Sequence, residues 1–389
     1  MTATPQTLNA EGLARLTAGD PAGAAERFAA AAALDPRAAV LWVNLANARR
    51  LAGDDAGEGD ALARALGADA RDLTALIRSA ERFERRGEAA RATAAWSGAI
   101  AVAPPLADCA GPLHDAVAHA TGFVAARNAE FAADIDAALA SALERVAAPA
   151  RQRFDAAVGA ATGRRRIYLN ECAGLHFPFL PADEFFAREH FPWLAALEAH
   201  TSAIRAEAEA LLGHDGVKPY VAMEPGAPPN KWTSLDGSLD WGAYHLWQYG
   251  KPVSEAMARC PATAAALRQV PQAELPGRAP TAFFSILKPR TRIPPHTGVS
   301  NTRTIVHLPL VVPRGCAFRV GGETREWVEG EAFAFDDTIE HEAWNDSESP
   351  RIVLIFDVWN PYLTPDERRL LQDFYRAADA SGHNPEPRE

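Results

Sequence analysis

Cysteine is scarce in this chain. The four among 389 residues (Cys109, Cys172, Cys260 and Cys316) lie far apart and form no CxxC pair. That excludes a disulfide scaffold and a cysteine-bound zinc site, and it fits a reducing compartment. Long apolar runs are also missing. No stretch reaches the length of about 18 consecutive apolar residues that a transmembrane helix needs. The opening MTATPQTLNAEGLARL has no basic segment ahead of an apolar one, so neither a signal peptide nor a membrane anchor is expected. Positive charge is in deficit: 39 Lys and Arg against 50 Asp and Glu leave a net charge of −11. A chain of that sign is not expected to hold nucleic acid through its phosphates or to coat an anionic membrane. The expectation is a cytoplasmic protein whose 48% apolar residues are enough to build cores. Its length suits two or three domains of about 100–200 residues each.

Composition changes along the chain. Residues 5–160 are rich in Ala, dotted with Arg and Glu, and poor in β-branched residues, which favours helix. Within them Gly19-Asp20, Gly53-Asp54 and Gly87-Glu88 recur at a spacing of 34 residues. Pro36, Ala70 and Pro104 keep the same phase, as do Phe28, Leu62 and Trp96, then Ala31, Ala65 and Ala99, then Leu8, Trp42 and Leu76. A 34-residue helical period resembles tetratricopeptide repeats, with three units over 5–106. Each helical hairpin alone leaves an apolar face bare, and stacking covers it. In 107–160, Phe123, Phe131, Ile135, Leu139, Leu143 and Val146 continue a helical pattern, expected to cap the stack and bridge to the next domain.

After Arg166 the composition turns to Trp, Phe, Tyr, Pro and Val, and from Thr281 short β-like runs alternate with turns. Thr281–Lys288, Thr304–Val312, Cys316–Val320 and Arg351–Trp359 read as strands, a pattern of sandwiches and barrels. RTRIPPHTGVSN, which holds His296, reads as a turn-rich segment, and FDDTIEH places two carboxylates just upstream of His341. Two imidazoles brought together at strand ends make a site for a borderline divalent metal such as iron. Arg351 opens a strand ten residues after His341, where a fixed guanidinium can grip a carboxylate.

The stretch IPPHTG, NTRTIVHLPLVVP, CAFRVGGETREWVEGEAFAFDDTIEHEAWN and RIVLIFDVWNP resembles the aspartyl/asparaginyl β-hydroxylases, with further likeness in FPWLAALEAHTSAIRAE (191–207) and DWGAYHLWQYG (240–250). The resemblance implies an N-terminal all-α tetratricopeptide-repeat solenoid followed, over 165–375, by a double-stranded β-helix (jelly-roll, cupin-like) oxygenase domain. It implies a dioxygenase using Fe(II), 2-oxoglutarate and O2 that hydroxylates an Asp or Asn side chain of a peptide or protein, releasing succinate and CO2, with the repeats recruiting the target. By resemblance, His296 and His341 ligate the metal. Arg351, assisted by Ser285, pairs with the distal carboxylate of 2-oxoglutarate, and His307 contacts it near the metal. Arg303 holds the acidic side chain of the target.

Two positions depart from the commonest patterns. Most of the superfamily has a carboxylate ligand two residues after the first histidine; here that residue is Gly298, as in the two-histidine form of this family. Asp337 then stands where it can hydrogen-bond a water from behind the ligands. The family's second substrate arginine is Ile305 here, which weakens the expectation of an Asp or Asn side chain in an epidermal-growth-factor-like domain as the substrate. The same chemistry on a small molecule or lipid acyl chain, and a non-enzymatic repeat scaffold, are the alternatives.

Overall fold

The computed structural model describes residues 3–383, and the chain divides into two compact units, Met1–Arg165 and Arg166–Glu389. The first unit is helical throughout: α1 (Pro5–Thr17), α2 (Pro21–Leu34), α3 (Ala39–Leu51), α4 (Asp55–Ala68), α5 (Leu73–Arg85), α6 (Ala89–Val102), α7 (Gly111–Leu143) and α8 (Ala148–Ala161). The starts of α1, α3 and α5 are 34 residues apart, and so are those of α2, α4 and α6. Local chemistry explains the repeat. Gly19, Gly53 and Gly87 turn each hairpin with φ between +69° and +80°, which only glycine adopts freely. Asp20 and Asp54 then cap the following helix, accepting from Gly23 N and Gly57 N.

Phe28, Leu62 and Trp96 are buried in the stack, as are Ala31, Ala65 and Ala99, whose small side chains let neighbouring helices approach. The last hairpin is covered by α7, with Ala120, Phe123 and Val124 packing into the Trp96 cluster. Beyond that contact the helical pattern is little used: Phe131 and Val146 are 48% and 42% exposed.

The second unit opens with irregular chain and then forms α9 (Leu194–Glu198), α10 (Thr201–Glu209), β1 (Lys218–Pro219), β2 (Trp241–Gln248), β3 (Lys251–Pro252), α11 (Ser254–Arg259) and α12 (Pro261–Leu267). There follow β4 (Ala282–Leu287), β5 (Thr291–His296), β6 (Arg303–Val311), β7 (Cys316–Val320), β8 (Glu323–Glu326), β9 (Phe333–Phe335), β10 (His341–Asn345), β11 (Arg351–Trp359) and α13 (Pro365–Ala380). They make two antiparallel sheets. The larger runs β1-β2-β4-β11-β6-β9 with β3 beside β2, and the smaller runs β5-β10-β7-β8.

Strand alternation sorts the side chains of the large sheet onto two faces. Phe284, Ile286, Val306, Leu308, Leu354 and Phe356 point to one face and pack with α10, α11 and α12. Their neighbours Ser285, Leu287, Ile305, His307, Arg351, Val353, Ile355 and Asp357 point to the other, toward the small sheet. Phe284 and Phe356 are at most 1% exposed, and burying each contributes about 1.5–3 kcal/mol. The polar residues singled out from sequence thus lie on the inner face of a sheet whose outer face is anchored by apolar packing.

The segment expected as turn-rich is in part a strand. RIPPH belongs to β5, which forms the edge of the small sheet, where prolines cost no ladder bond on the open side.

Candidate active site

His296 and His341 are direct partners across the β5–β10 ladder. The ladder carries a bulge there: Ile293 faces Ala343 and His296 faces His341, so three steps on β5 match two on β10. Simple alternation from Ile293 would turn His296 outward, and the bulge at Pro294-Pro295 turns it back to the side of His341. The two ring centroids are 4.0 Å apart.

Each ring is held in the same way. His296 Nδ1 donates to the Pro294 carbonyl at 2.8 Å, and His341 Nδ1 donates to the Ile339 carbonyl at 2.9 Å. A carbonyl can only accept, so the proton is on Nδ1 and each Nε2 keeps a lone pair. Burial keeps both rings neutral. It lowers His296 to about 4 and His341 well below its ordinary value, the neighbouring His296 adding to the second shift. Among the described residues no cluster of three or more His, Cys, Asp or Glu is placed to hold a metal, so a metal here would take two protein nitrogens.

The place of a third ligand is occupied in another way. Gly298 N donates to the Asp337 carbonyl at 2.6 Å, and a Cβ on residue 298 would overlap the Asp337 carboxyl group. Asp337 Oδ1 is buried without a hydrogen-bond partner. Burial pushes the Asp337 carboxyl up to about 7, with Arg303 offsetting part of the shift. A buried orphan oxygen next to a glycine cradle and two imidazole lone pairs fits a divalent metal such as Fe(II) carrying water.

Arg351 lies at the other end of the sheet's inner face and is 1% exposed. Its Nη1 donates to Ser285 Oγ at 3.2 Å, its guanidinium lies 4.8 Å over the Trp327 ring, and its Nε has no partner. No carboxylate of the described residues pairs with it, and burial lowers its pKa to about 10. Ser285 Oγ also accepts from Trp241 Nε1 at 3.0 Å. With two donors on that oxygen, the hydroxyl proton is directed away from both. A buried cation without an anion, beside a hydroxyl whose proton is free, is a receptor for a carboxylate.

His307 sits among Phe318, Phe333 and Phe335, at 4.9, 5.3 and 5.0 Å between ring centroids. Its Nδ1 accepts from Trp327 Nε1 at 3.4 Å, and burial together with Arg351 holds it well below its ordinary pKa. Arg303, at the opposite end of β6, is ion-paired with the buried Asp357, which also accepts from Thr281 N at 2.7 Å. Arg303 borders a cavity of about 470 Å³ with Val299, Ser300, Leu275 and Tyr375.

His296 and His341 therefore lie together with Asp337 beside them. Arg351, Ser285 and His307 share the inner face of the large sheet. Arg303, paired with Asp357 and close enough to Asp337 to act on its charge, borders the cavity. Sequence reasoning missed Trp241, Trp327 and Asp357, which fix Ser285, His307 and Arg303 in turn. It also missed Tyr220, stacked on Trp241 at 3.9 Å, and Trp232, edge-on to His296 at 5.0 Å. Trp241, Trp327 and Asp357 had a signal, since each lies inside a segment that resembles the family, DWGAYHLWQYG, CAFRVGGETREWVEGEAFAFDDTIEHEAWN and RIVLIFDVWNP in turn.

Residues 198–361 match the family model described as Aspartyl/Asparaginyl beta-hydroxylase. The mouse protein named Aspartyl/asparaginyl beta-hydroxylase is 44% identical over 134 residues, 34% of this chain and 18% of that protein. The Ornithine lipid ester-linked acyl 2-hydroxylase of Rhizobium tropici is 35% identical over 178 residues, 45% of this chain and 60% of that protein. The human Aspartate beta-hydroxylase domain-containing protein 2 is 31% identical over 199 residues, 50% and 52% of the two chains. This chain thus spans from about a fifth to about three fifths of these relatives' lengths. Among solved structures, the complex of PcrH with the chaperone binding region of PopD covers 32% of this chain and 91% of its own at 23% identity and TM-score 0.28, a likeness that adds nothing to the repeat geometry. No helix of the described residues is long and apolar enough to cross a membrane. The two histidines, the arginine and the serine all fall on the matched segment, and over residues 198–361 the chain is similar to the aspartyl/asparaginyl β-hydroxylase family.

Proposed function

We propose that this protein is an Fe(II)- and 2-oxoglutarate-dependent dioxygenase that hydroxylates a side chain of a peptide or protein at an Asp or Asn β-carbon. The C-terminal unit is then a double-stranded β-helix of the jelly-roll, cupin-like kind, formed by its two facing sheets. The observation that carries the reading is the pairing of two neutral Nδ1-protonated imidazoles with an orphaned buried carboxyl group, in the same unit as an unpaired buried arginine on the inner face of the large sheet.

Bound Fe(II), with 2-oxoglutarate and O2, supplies the oxidising chemistry that yields succinate, CO2 and a hydroxylated C–H position. The chain does the rest. His296 and His341 offer their Nε2 lone pairs, held in line by the Pro294 and Ile339 carbonyls. Arg351 and the Ser285 hydroxyl bind the distal carboxylate of the cosubstrate, and the Trp327 ring excludes water from that pair. His307 contacts the cosubstrate between Arg351 and the metal. Asp337 Oδ1 accepts a hydrogen bond from water at the position where Gly298 brings no ligand. Arg303 meets the target's acidic group at the cavity, with Asp357 holding its guanidinium. The helical repeats recruit the peptide or protein partner, and the cytoplasm is the proposed compartment.

A second reading keeps the chemistry and changes the substrate to a small molecule or lipid acyl chain. It is favoured by Ile305 in place of a second arginine, and by Asp357 neutralising the one arginine that remains. Anaerobic Mn(II) and 2-oxoglutarate binding, followed by iron-dependent succinate formation, tests the enzyme reading. Failure of both would leave a non-enzymatic scaffold. Mass spectrometry for a gain of one oxygen on peptide or on lipid separates the two substrates.

A further inference from the structure

The metal-bearing histidines are each joined to a short turn, 298–301 after His296 and 336–338 before His341. Residues 170–177, irregular chain far upstream in sequence, cross both turns. Glu171 N donates to the Thr338 carbonyl at 2.8 Å, Ala173 N to that of Gly298 at 3.1 Å and Gly174 N to that of Val299 at 2.8 Å. The Asn170 amide donates to Asp336 Oδ2 at 2.7 Å and to Thr338 Oγ1 at 2.9 Å. At the far end the Asn301 side chain both accepts from Phe177 N and donates to the Phe177 carbonyl, each at 2.8 Å.

We infer that segment 170–177 is a staple that sets the spacing of the two histidine-bearing turns, and that Asn170 is its positioning residue. The inference rests on the metal-site reading above. Without the staple, Gly298 N to the Asp337 carbonyl is the one backbone bond described between the turns. The β5–β10 ladder ends at the His296–His341 pair, so beyond it that single bond leaves the turns free to splay, whereas bonds at both edges from a third segment hold them. Asn170 is suited to the task because one amide group supplies two donors to two acceptors on the same turn. Asp336 is then fully engaged, its other oxygen accepting from Thr338 N and Oγ1 at 3.0 and 2.6 Å. The neighbouring Asp337 thereby inherits a fixed backbone. Gly174 fits for a steric reason: a Cβ there would come to 3.0 Å from Val299 Cγ1 and 3.2 Å from its carbonyl oxygen. Asn170 touches neither histidine. Its effect on metal passes through backbone position, as for groups that orient ligands from behind.

The test is Mn(II) titration of the full chain under anaerobic conditions, with thermal unfolding of the metal-free protein measured alongside. Asn170→Ala is expected to weaken Mn(II) by about 10- to 100-fold, the range seen when groups orienting metal ligands are lost. Asn170→Asp, which sets an acceptor against Asp336, is expected to be worse. Thr263→Ala, which removes an equally buried hydrogen bond to Glu207 on the helix-covered face, is expected to lower the unfolding temperature and leave Mn(II) affinity at the wild-type value. If Asn170→Ala does not fold, Gly174→Ala crowds Val299 and strains the staple's bonds to 298–301 while leaving the Asn170 amide in place, and it too is expected to weaken Mn(II). Wild-type affinity in the folded staple variant, or equal weakening by Thr263→Ala, would overturn the staple while leaving the metal site standing. A wild-type protein that takes up no more Mn(II) than His341→Ala would overturn the metal site and the staple with it.

Discussion

Replacing Arg351 by Met should move stability and cosubstrate binding in opposite directions. Arg351 is buried, with no anion and an Nε without a partner. Burial lowers its pKa from 12.5 to about 10. At about 1.4 kcal/mol per pKa unit, the charged form carries a cost of about 3 kcal/mol in the metal-free folded protein. Because the folded value is the lower one, that cost is present throughout the neutral range and fades only as pH rises past about 10. Set against it are the Trp327 contact, worth about 0.5–2 kcal/mol, and the hydrogen bond to Ser285, worth about 1 kcal/mol. Methionine keeps much of the packing volume. The metal-free variant should therefore lie between unchanged and about 2 kcal/mol more stable. Cosubstrate binding loses one partner of a desolvated charge pair, about 2–5 kcal/mol, which is about 30- to 4,000-fold in affinity. Calorimetric titration of the Mn(II)-loaded protein with 2-oxoglutarate reads the second effect. Denaturant unfolding followed by tryptophan fluorescence reads the first, since of the nine tryptophans only Trp42 and Trp96 lie outside the C-terminal unit. Cosubstrate affinity within about twofold of wild type, or a stability loss of more than about 3 kcal/mol, would show that Arg351 is a structural residue and refute the assignment.

The other predictions probe the metal end. His296→Ala and His341→Ala should each abolish Mn(II) binding measured by spin resonance while the circular dichroism of the fold is retained; saturable binding in either would remove that residue from the ligand set. Gly298→Asp should bind Mn(II) at least as tightly as wild type but form succinate more slowly, because its side chain must displace the Asp337 carboxyl group; a large gain in turnover would mean that the wild-type site is a decayed three-ligand site. The pH dependence has opposing contributions. Raised carboxyls (Asp336 to about 6, Asp337 to about 7) make the metal-free fold less stable as pH rises through those values, whereas the lowered histidines make it more stable over the range from about 4 to their ordinary value. The difference between wild type and Asp337→Asn isolates one carboxyl: the variant should gain stability relative to wild type as pH rises from about 4 to about 7, and a difference independent of pH would show that Asp337 is already ionised in the metal-free protein.

The repeat architecture was legible because its determinants are local. A positive-φ glycine, an aspartate cap and a buried alanine each act within one hairpin, and the hairpin recurs at 34 residues. Strands β4, β6, β7 and β11 were legible for a related reason, since short apolar, β-branched or aromatic runs bounded by turns mark strands buried on both faces. The helical run after 106 was legible as helix but not in its burial. The pattern around Phe131 promises a covered face, yet that ring is 48% exposed, because α7 outruns the hairpin it covers. The partners of the site residues were illegible. Trp241 reaches Ser285 across 44 residues of chain, Arg351 reaches Ser285 across 66, and Arg303 reaches Asp357 across 54. Each meeting is set by strand register, and nothing local encodes register.

The position of His296 shows why residue type and spacing alone could not build the site. In TRIPPH the apolar Ile293 enters the core, and strict alternation then sends residue 296 to solvent. Alternation would have argued against His296 as a ligand, whereas resemblance argued for it. The conflict is resolved by the two prolines between them. Neither has an N–H to donate, so an inserted residue at that point sacrifices no ladder bond that a proline could have made. The bulge therefore falls where the ladder is already weakest, and it shifts the parity of the strand by one. Read this way, Pro294 and Pro295 aim His296 at His341, and the Pro294 carbonyl then fixes which nitrogen of His296 is free.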